Sequence, residues 1–325
     1  MAQSGASRLR HILAADIGGT NSRFAHFTVD SDARLELVST AWLTTAEADS
    51  FVALVAGLEK TDFDLRPEKA DAAVFAVPGA VVGRRPVRFA NIDWALDLEA
   101  LVEAYGLARS ACINDFLAQA HGCRLLGDTA EPILPGTMDP TQVQAVIGAG
   151  TGLGHAALIP LGAGRAMGLP SEAGQAAFPF LGPEETEFAE FLCRQTGEDY
   201  ARGDSVASGP GLAHLHRFLT GESRTPAEVG AALSPQSRTT ALFARFFGRV
   251  ARQYVLGLVA AGGVYISGGV AAKNPLVVTH PEFAREFYDS PTYGHLLRTV
   301  PVRLVRDAHV GLYGAARVAL DLLPA

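Results

Sequence analysis

The chain has few cysteines and no cluster of them. Cys112, Cys123 and Cys193 are widely spaced and form no C-x-x-C pair. This spacing supports neither a disulfide framework nor a structural zinc site. We interpret all three as small buried hydrophobic residues of a protein from a reducing compartment.

Long apolar runs and basic clusters are also missing. The most apolar stretch, residues 254–270, is interrupted by glycines and a serine, so nothing reaches the about 20 apolar residues that a membrane span needs. Lys and Arg total 27 against 34 Asp and Glu, a net charge of -7. We therefore expect neither a membrane nor a nucleic acid as partner. Residues 1–10 lack the apolar core of a secretory signal, and we expect a cytoplasmic protein.

The common nucleotide-binding signatures are absent, although the chain has two glycine-rich turns. No G-x-x-x-x-G-K-[ST] motif occurs, and residues 148–154 read G-x-G-x-G-x-G rather than G-x-G-x-x-G. This turn and the turn at residues 16–21 each follow a short apolar run that is typical of a strand. Glycine has no Cβ, so the backbone N–H groups of such turns can approach a phosphate closely. We predict that the two turns bind one phosphate group from two sides.

A strand, a glycine turn and a second strand occur twice. The predicted strand pairs are 11–15 with 22–29, and 144–147 with 155–160. Internal duplication of an α/β unit is the simplest account, and each pair is expected to be a hairpin. At 325 residues two domains are expected. We predict a smaller α/β domain of residues 1–125 plus 311–325 and a larger one of residues 126–310.

Other patterns predict the remaining strands and helices of such units. Predicted strands are 72–77, 111–113, 264–267 and 301–305, and predicted helices are 46–58, 116–126, 241–261 and 311–323. Gly268 and Gly269 follow a predicted strand, and a helix is expected to begin near Asn274. A helix N-terminus after such a turn favours a bound phosphate.

Six short motifs resemble, in the same order, those of the bacterial ATP-dependent glucokinases of the hexokinase/actin-like superfamily. They lie at residues 16–21, 113–116, 148–154, 169–172, 208–211 and 262–269. The chain lacks the cysteine-rich zinc motif of the related repressor and kinase group, so it resembles the zinc-free proteobacterial type. The resemblance implies duplicated ribonuclease H-like domains flanking a cleft, ATP and Mg²⁺ as cofactors, glucose or a related hexose as substrate, and a homodimer.

Asp115 is the predicted general base. A sugar hydroxyl is a poor nucleophile, and a carboxylate within hydrogen-bond reach can accept its proton during phosphoryl transfer. From the residues alone, Asn114 and Asp115 could equally cap the helix that follows, and the two roles are compatible. The resemblance favours catalysis by Asp115 and implies that Asn114, Asn91 and Glu172 bind the sugar.

Asp16 alone could be an ordinary turn residue. Its place at a strand end favours a water-mediated contact with Mg²⁺, and the hydroxyl groups of Thr20 and Thr151 would donate to phosphate oxygens. The remaining predicted ATP-binding residues belong to the glycine turns. They are Gly18, Gly19, Asn21, Gly150, Gly152, Gly268 and Gly269.

Two residues depart from the family pattern, and both fall on the expected sugar pocket. Gln175 stands where family members have a histidine, and Asp204 stands where they have a glutamate. An amide cannot become cationic, and an aspartate is one methylene shorter. A kinase for mannose, fructose or an N-acetylhexosamine therefore stays open as an alternative, as does a non-catalytic sugar sensor. The joint presence of Asp16, Asp115 and both glycine turns argues against the sensor.

Overall fold

The structure, a computed structural model, describes residues 9–83, 87–88 and 93–324. These residues form two compact units. The first unit contains the described residues of Met1–Leu125 together with those of Ala308–Ala325, and the second is Leu126–Asp307. No helix of the described portion is long and apolar enough to cross a membrane.

The first unit is built from seven strands and four helices among its described residues, numbered here in chain order through both units. Its strands are β1 (Arg10–Ile17), β2 (Asn21–Val29), β3 (Leu35–Thr44), β4 (Ala72–Val77), β5 (Val87–Arg88), β6 (Ala95–Leu96) and β7 (Ser110–Asn114). Its helices are α1 (Phe51–Ala56), α2 (Leu98–Tyr105), α3 (Asp115–Leu126) and, at the end of the chain, α13 (Val310–Leu320).

The main sheet of the first unit has the order β3-β2-β1-β4-β7. Strands β3, β2 and β1 are antiparallel neighbours, whereas β4 and β7 run parallel to β1. Because successive side chains of a strand point to opposite faces, β1 serves two cores. Leu13 and Ala15 belong to one apolar cluster with Phe51 of α1, and Ile12 and Ala14 belong to another with residues of α13.

The second unit repeats this plan with an added edge strand. Its strands are β8 (Glu131–Leu134), β9 (Gln144–Ala149), β10 (Leu153–Gly162), β11 (Arg165–Ser171), β12 (Val264–Ser267) and β13 (Val302–Leu304). The sheet order is β11-β10-β9-β12-β13-β8, in which β10 and β11 are antiparallel and β12 and β13 run parallel to β9. The first five strands thus match the first sheet one for one, and the predicted duplicated α/β fold is confirmed.

Helices cover the second sheet and surround one large apolar cluster. They are α4 (Gly182–Thr196), α5 (Gly203–Val206), α6 (Gly209–Thr220), α7 (Pro226–Ala232), α8 (Arg238–Leu258), α9 (Gly269–Lys273), α10 (Leu276–Thr279), α11 (Pro281–Tyr288) and α12 (Gly294–Leu297). Arg249 of α8 is buried and donates to Glu185 of α4, to Glu286 of α11 and to the carbonyl oxygen of Pro179. This ion cluster fixes the chain just before α4.

One predicted helix is shorter than expected, and one short helix was not predicted. The helix expected at 46–58 is α-helical only in α1, because the Ser50 hydroxyl accepts the Ala53 N–H and sets the start at Phe51, and a 3-10 turn follows from Gly57. The helix expected near Asn274 is present, since α10 begins at Leu276 with Pro275 as its N-cap. A further short helix, α9, was not predicted and begins at Gly269, directly after Gly268. Glycine at 268 allows this abrupt start, since its φ is +86°.

Candidate functional site

The parallel strands of the first unit bring predicted site residues to one edge of its sheet. Asp16 of β1 is in register with Ala76 of β4, and Asn114 of β7 is in register with Val77. The carboxyl ends of β1 and β7 therefore flank the end of β4. Open α/β sheets bind ligands at this edge, outside the carboxyl ends of parallel strands.

The first glycine turn connects β1 with β2. The Gly18 N–H donates to the carbonyl oxygen of Asn21 over 3.1 Å, and a Cβ on Gly18 would lie only 2.7 Å from that oxygen. Glycine is therefore required at this position. Thr20 is exposed, and its carbonyl oxygen accepts the Thr45 N–H over 2.8 Å. The turn is thus held by backbone contacts while the Thr20 side chain remains accessible to a ligand.

Asp16 forms an ion pair with Arg23, which lies directly opposite it across the hairpin. Arg23 also donates to the carbonyl oxygen of Ala308 over 2.6 Å, and its guanidinium lies 5.3 Å from the ring centre of the exposed Trp42. Arg23 was missed in the sequence, although the hairpin register would have placed it beside Asp16. The contact gives the turn a cationic side chain next to the predicted metal-directed carboxylate.

The chemistry around Asp16 suits a magnesium ion. Among the described residues, no group of three or more His, Cys, Asp or Glu side chains could hold a metal ion by itself. Mg²⁺ seldom uses such a cage, since it keeps several waters and binds through one or two carboxylates together with substrate phosphates. Asp16, a single carboxylate at a glycine turn that also contacts Arg23, fits that mode.

Asn114 and Asp115 form the junction between β7 and α3. The Asn114 side chain accepts the Leu117 N–H over 3.0 Å and donates over 3.1 Å both to the carbonyl oxygen of Gly79 and to Asp115 Oδ1. Asp115 Oδ1 also accepts the Phe116 N–H over 2.9 Å. Asn114 therefore caps the helix, as the sequence predicts, and at the same time fixes the orientation of the Asp115 carboxylate. Asn91 lies outside the described residues.

The second glycine turn, between β9 and β10, is held on two sides. The Gly150 N–H donates to Gly152, the Gly209 N–H donates to Gly150, and both acceptors are carbonyl oxygens at 2.8 Å. On the other side Asp204 Oδ1 accepts the Leu153 N–H over 2.7 Å. A Cβ on Gly152 would lie 2.5 Å from that carboxylate oxygen, so a larger residue would displace the Asp204 side chain. Thr151 is exposed at the tip.

The third glycine pair lies beside this turn. Ser267 of β12 is in register with Gly148 of β9, so Gly268 and Gly269 follow at the same sheet edge. A Cβ on Gly268 would lie 2.5 Å from the carbonyl oxygen of Ala149, whereas Gly269 has open space around it. The structure thus brings together the ATP-binding residues predicted for the second unit.

The predicted sugar residues of the second unit surround the start of β10. Glu172 and Gln175 are exposed at the two ends of a short 3-10 turn, Ala173–Gln175, which we call the sugar loop together with Glu172. A Cβ on Gly174 would lie 2.3 Å from the carbonyl oxygen of Leu153, so the loop rests on the residue whose N–H contacts Asp204. Gln175 Oε1 accepts a hydrogen bond from Arg202, a residue that no motif in the sequence marks.

A cavity of about 240 Å³ lies behind the sugar loop. Its lining is mostly apolar, with Ala173, Phe178 and Val250 on the walls and His155 and Tyr254 among the few polar side chains. Burial lowers the pKa of His155 to about 4, so this imidazole is neutral near pH 7. A hexose needs hydrogen-bond partners for most of its hydroxyl groups, and we therefore do not assign the sugar to this cavity.

Comparison with known proteins gives the family. A glucokinase family model matches residues 13–322. A curated glucokinase from Xanthomonas oryzae pv. oryzae is 32% identical over 332 residues, covering 95% of each chain. Several of the six motifs noted in the sequence lie on the turns described above.

Solved structures agree in fold. A glucokinase from an Antarctic psychrotroph superposes with a TM-score of 0.80 at 25% identity, covering 97% of this chain and 100% of the other. A ROK family glucokinase from Streptomyces griseus in complex with glucose and AMPPNP gives a TM-score of 0.63 at 20% identity, covering 96% and 99%. With the family model matched from the first strand to the last helix, the chain belongs to the glucokinase family.

Proposed function

We propose that the chain catalyses the ATP-dependent phosphorylation of glucose to glucose 6-phosphate. The observation that carries the proposal is the junction at Asn114 and Asp115, where hydrogen bonds from Asn114 and from the Phe116 N–H hold one carboxylate at the ligand-binding edge of a sheet. A carboxylate held in a fixed orientation is what proton abstraction from a sugar hydroxyl requires. The family match supports the same activity.

In the proposed reaction Asp115 takes the proton of the sugar's primary hydroxyl group. The oxygen forms a bond to the γ-phosphorus of ATP, the bond to the β-phosphate oxygen breaks, and ADP leaves. Asn114, Glu172, Gln175 and Asp204 bind the hydroxyl groups of the sugar, as does Asn91. Mg²⁺, held through water by Asp16, would neutralise charge on the phosphates.

The glycine turns are proposed to bind the phosphates of ATP. Backbone groups and hydroxyls of the first turn would donate hydrogen bonds to one set of phosphate oxygens. The proposed contacts there are Gly18, Gly19, Thr20 and Asn21. The second unit would contribute Gly150, Thr151, Gly152, Gly268 and Gly269. Such fixed donors stabilise the charge that spreads over the transferring group.

The decisive experiment is coupled ADP release with and without glucose, comparing wild type with Asp115→Asn. Asparagine keeps an oxygen that can accept the Phe116 N–H, so the helix start is preserved while the base is lost. We expect kcat to fall by about 10²–10⁴-fold, the usual contribution of general base catalysis, with little change in KM for ATP.

The matched control is Asp97→Asn. Asp97 caps α2 by accepting the Glu99 N–H over 3.0 Å, so it makes the same kind of helix-start contact elsewhere in the first unit. Its variant should keep wild-type kcat. Unchanged turnover in Asp115→Asn would refute the base assignment, and ADP release that does not depend on any sugar would refute the kinase itself.

A second candidate is a kinase for another hexose, because Gln175 and Asp204 replace the residues usual in the family. Mannose, fructose and N-acetylglucosamine assayed beside glucose separate the two, since glucose should have the highest kcat/KM if the first proposal holds. By resemblance to the bacterial family we also propose a cytoplasmic homodimer that acts at the first step of glycolysis. Light scattering during size-exclusion chromatography tests the dimer.

A further inference from the structure

Arg202 occupies a specific place beside the sugar loop. Its Nε donates to Glu198 Oε2 over 3.3 Å, and its Nη2 donates to Glu198 Oε1, so the guanidinium binds this carboxylate in a bidentate manner. The remaining guanidinium nitrogen, Nη1, donates to Gln175 Oε1. Bidentate hydrogen bonding to a carboxylate fixes the plane of a guanidinium. The direction of the third donor toward Gln175 is therefore set by Glu198.

The backbone around Arg202 is tied to the chain that leaves the sugar loop. Ala177 and Arg202 form an isolated antiparallel bridge. On either side the Phe178 N–H donates to the carbonyl oxygen of Ala201 over 2.9 Å, and the Gly203 N–H donates to that of Ala176 over 3.0 Å. The contact between Arg202 and Gln175 is thus supported by the backbone and does not depend on two free surface side chains meeting.

The chemistry of the two side chains settles which end of the amide faces which partner. Arginine only donates hydrogen bonds, so the atom of Gln175 that contacts Arg202 must be the carbonyl oxygen. We propose that Arg202 is a positioning residue that holds the Gln175 amide with its NH₂ group, rather than its oxygen, directed to a sugar hydroxyl. The inference rests on the proposed sugar-binding role of Gln175.

This arrangement fixes the hydrogen-bond role of the hydroxyl that meets Gln175. The hydroxyl that meets Gln175 must accept a hydrogen bond from it and give its own proton to another acceptor, such as the carboxylate of Glu172. A histidine at position 175 could present either a donor or an acceptor, depending on tautomer and charge. With Arg202 in place, Gln175 offers a donor only, so the hydroxyl that it contacts is held as the acceptor of that hydrogen bond.

The test is a double-mutant cycle on Arg202 and Gln175, with KM measured separately for glucose and for ATP. Arg202→Met keeps most of the side-chain length but releases the amide, and we expect KM for glucose to rise by roughly three- to tenfold, the value of one neutral hydrogen bond, with KM for ATP unchanged. Arg202→Lys should raise KM for glucose less than Arg202→Met does, since lysine can donate to Gln175 but cannot form a bidentate pair with Glu198. Gln175→Glu should also raise KM for glucose, because it keeps the partner of Arg202 and removes the donor.

Arg194→Met is the matched control. Arg194 forms an exposed ion pair with Glu190, also four residues before it, at 3.9 Å on the preceding helix. Its variant should keep both KM values. Thermal unfolding of every variant reports whether Arg202 matters only for stability, in which case Tm and the amount of active enzyme would fall while KM for glucose stayed at the wild-type value.

The outcome in the Gln175→Ala background decides the inference. If Arg202 acts through the amide, Arg202→Met adds nothing further to KM for glucose there, whereas an equal rise in both backgrounds would overturn the proposal. An unaltered KM for glucose in the single variant would overturn it too. Wild-type enzyme without any sugar-dependent ADP release would instead be a failure of the proposed function.

Discussion

Replacing Asp204 should disturb ATP binding as well as sugar binding. Its Oδ1 accepts the Leu153 N–H over 2.7 Å and lies against Gly152, so the carboxylate supports the glycine turn proposed to hold phosphates. The sequence alone predicts only a sugar contact for this residue. The structure adds a second contact, and Asp204→Ala removes both.

The magnitude follows from the bond that is lost. A hydrogen bond to a charged group contributes about 1.5–3 kcal/mol to stability, and the half-buried position of Asp204 favours the lower end. About 1.5 kcal/mol corresponds to roughly a tenfold change. We therefore expect Asp204→Ala to lower kcat/KM for ATP about tenfold. Asp204→Asn keeps a neutral acceptor for the Leu153 N–H, and since charged bonds are about twice as strong as neutral ones, its loss should be only about threefold.

Coupled ADP release with ATP varied at saturating glucose, and then with glucose varied at saturating ATP, separates the two roles. Asp204→Ala should affect both titrations, and Asp204→Asn should affect mainly that of glucose. Asp204→Glu lengthens the side chain beyond the Leu153 N–H. It should weaken ATP binding while keeping a carboxylate for the sugar. If Asp204→Ala leaves the ATP titration within a factor of two of wild type, the carboxylate does not support the turn and the reasoning is wrong.

Two further predictions concern stability. Gly268→Ala places a methyl group 2.5 Å from the carbonyl oxygen of Ala149 at a φ of +86°, so we expect a loss of more than about 2 kcal/mol in the free energy of unfolding and a higher KM for ATP. Gly269→Ala, which meets nothing within 4 Å, is its control and should be neutral or stabilising by up to about 1 kcal/mol. Burial lowers the pKa of His155 to about 4, so the unfolded chain binds a proton that the folded chain does not. Stability is therefore lost as pH falls from about 6.5 toward 4, by at most about 1.4 kcal/mol per pH unit for this residue. His155→Phe should flatten the fall of Tm across that window, and an unchanged slope would contradict the buried neutral imidazole; His121, whose pKa is also lowered to about 4, supplies part of the remaining slope.

The duplicated fold could be predicted because its signals are local. Each first hairpin has apolar strands on both sides of a glycine turn, and the predicted strand pairs correspond to β1 with β2 and β9 with β10. Strand β11 gave no such signal, since it contains Gly168 and Pro170, residues that are rare inside strands. An edge strand tolerates them, because one side of its backbone needs no partner in the sheet. Its existence depends on β10 and could not be predicted from its own residues.

The residues of the candidate site, like the strands, could be predicted only where the signal in the sequence is local. Residues named from motifs occupy turns and helix starts, where the physical reason for glycine or a capping residue is visible in the sequence. Arg202 carries no such mark, because its contact with Gln175 spans 27 residues and depends on a backbone bridge formed only in the folded unit. The assignment of ligands to these residues stays a prediction until it is tested.

Gln175 and Asp204 are linked by one short segment of the second unit. Residues 201–204 contact the sugar loop through Arg202 and the neighbouring backbone, and they contact the glycine turn through Asp204. Only Gly203 separates the residue that contacts the sugar loop from the residue that contacts the glycine turn. If a bound sugar changes the affinity for ATP through Asp204, linkage requires that ATP change the affinity for that sugar by the same factor. Arg202→Met, which should leave KM for ATP unchanged, and Asp204→Ala, which should affect both titrations, therefore separate the contact proposed for the sugar from the contact that supports the glycine turn.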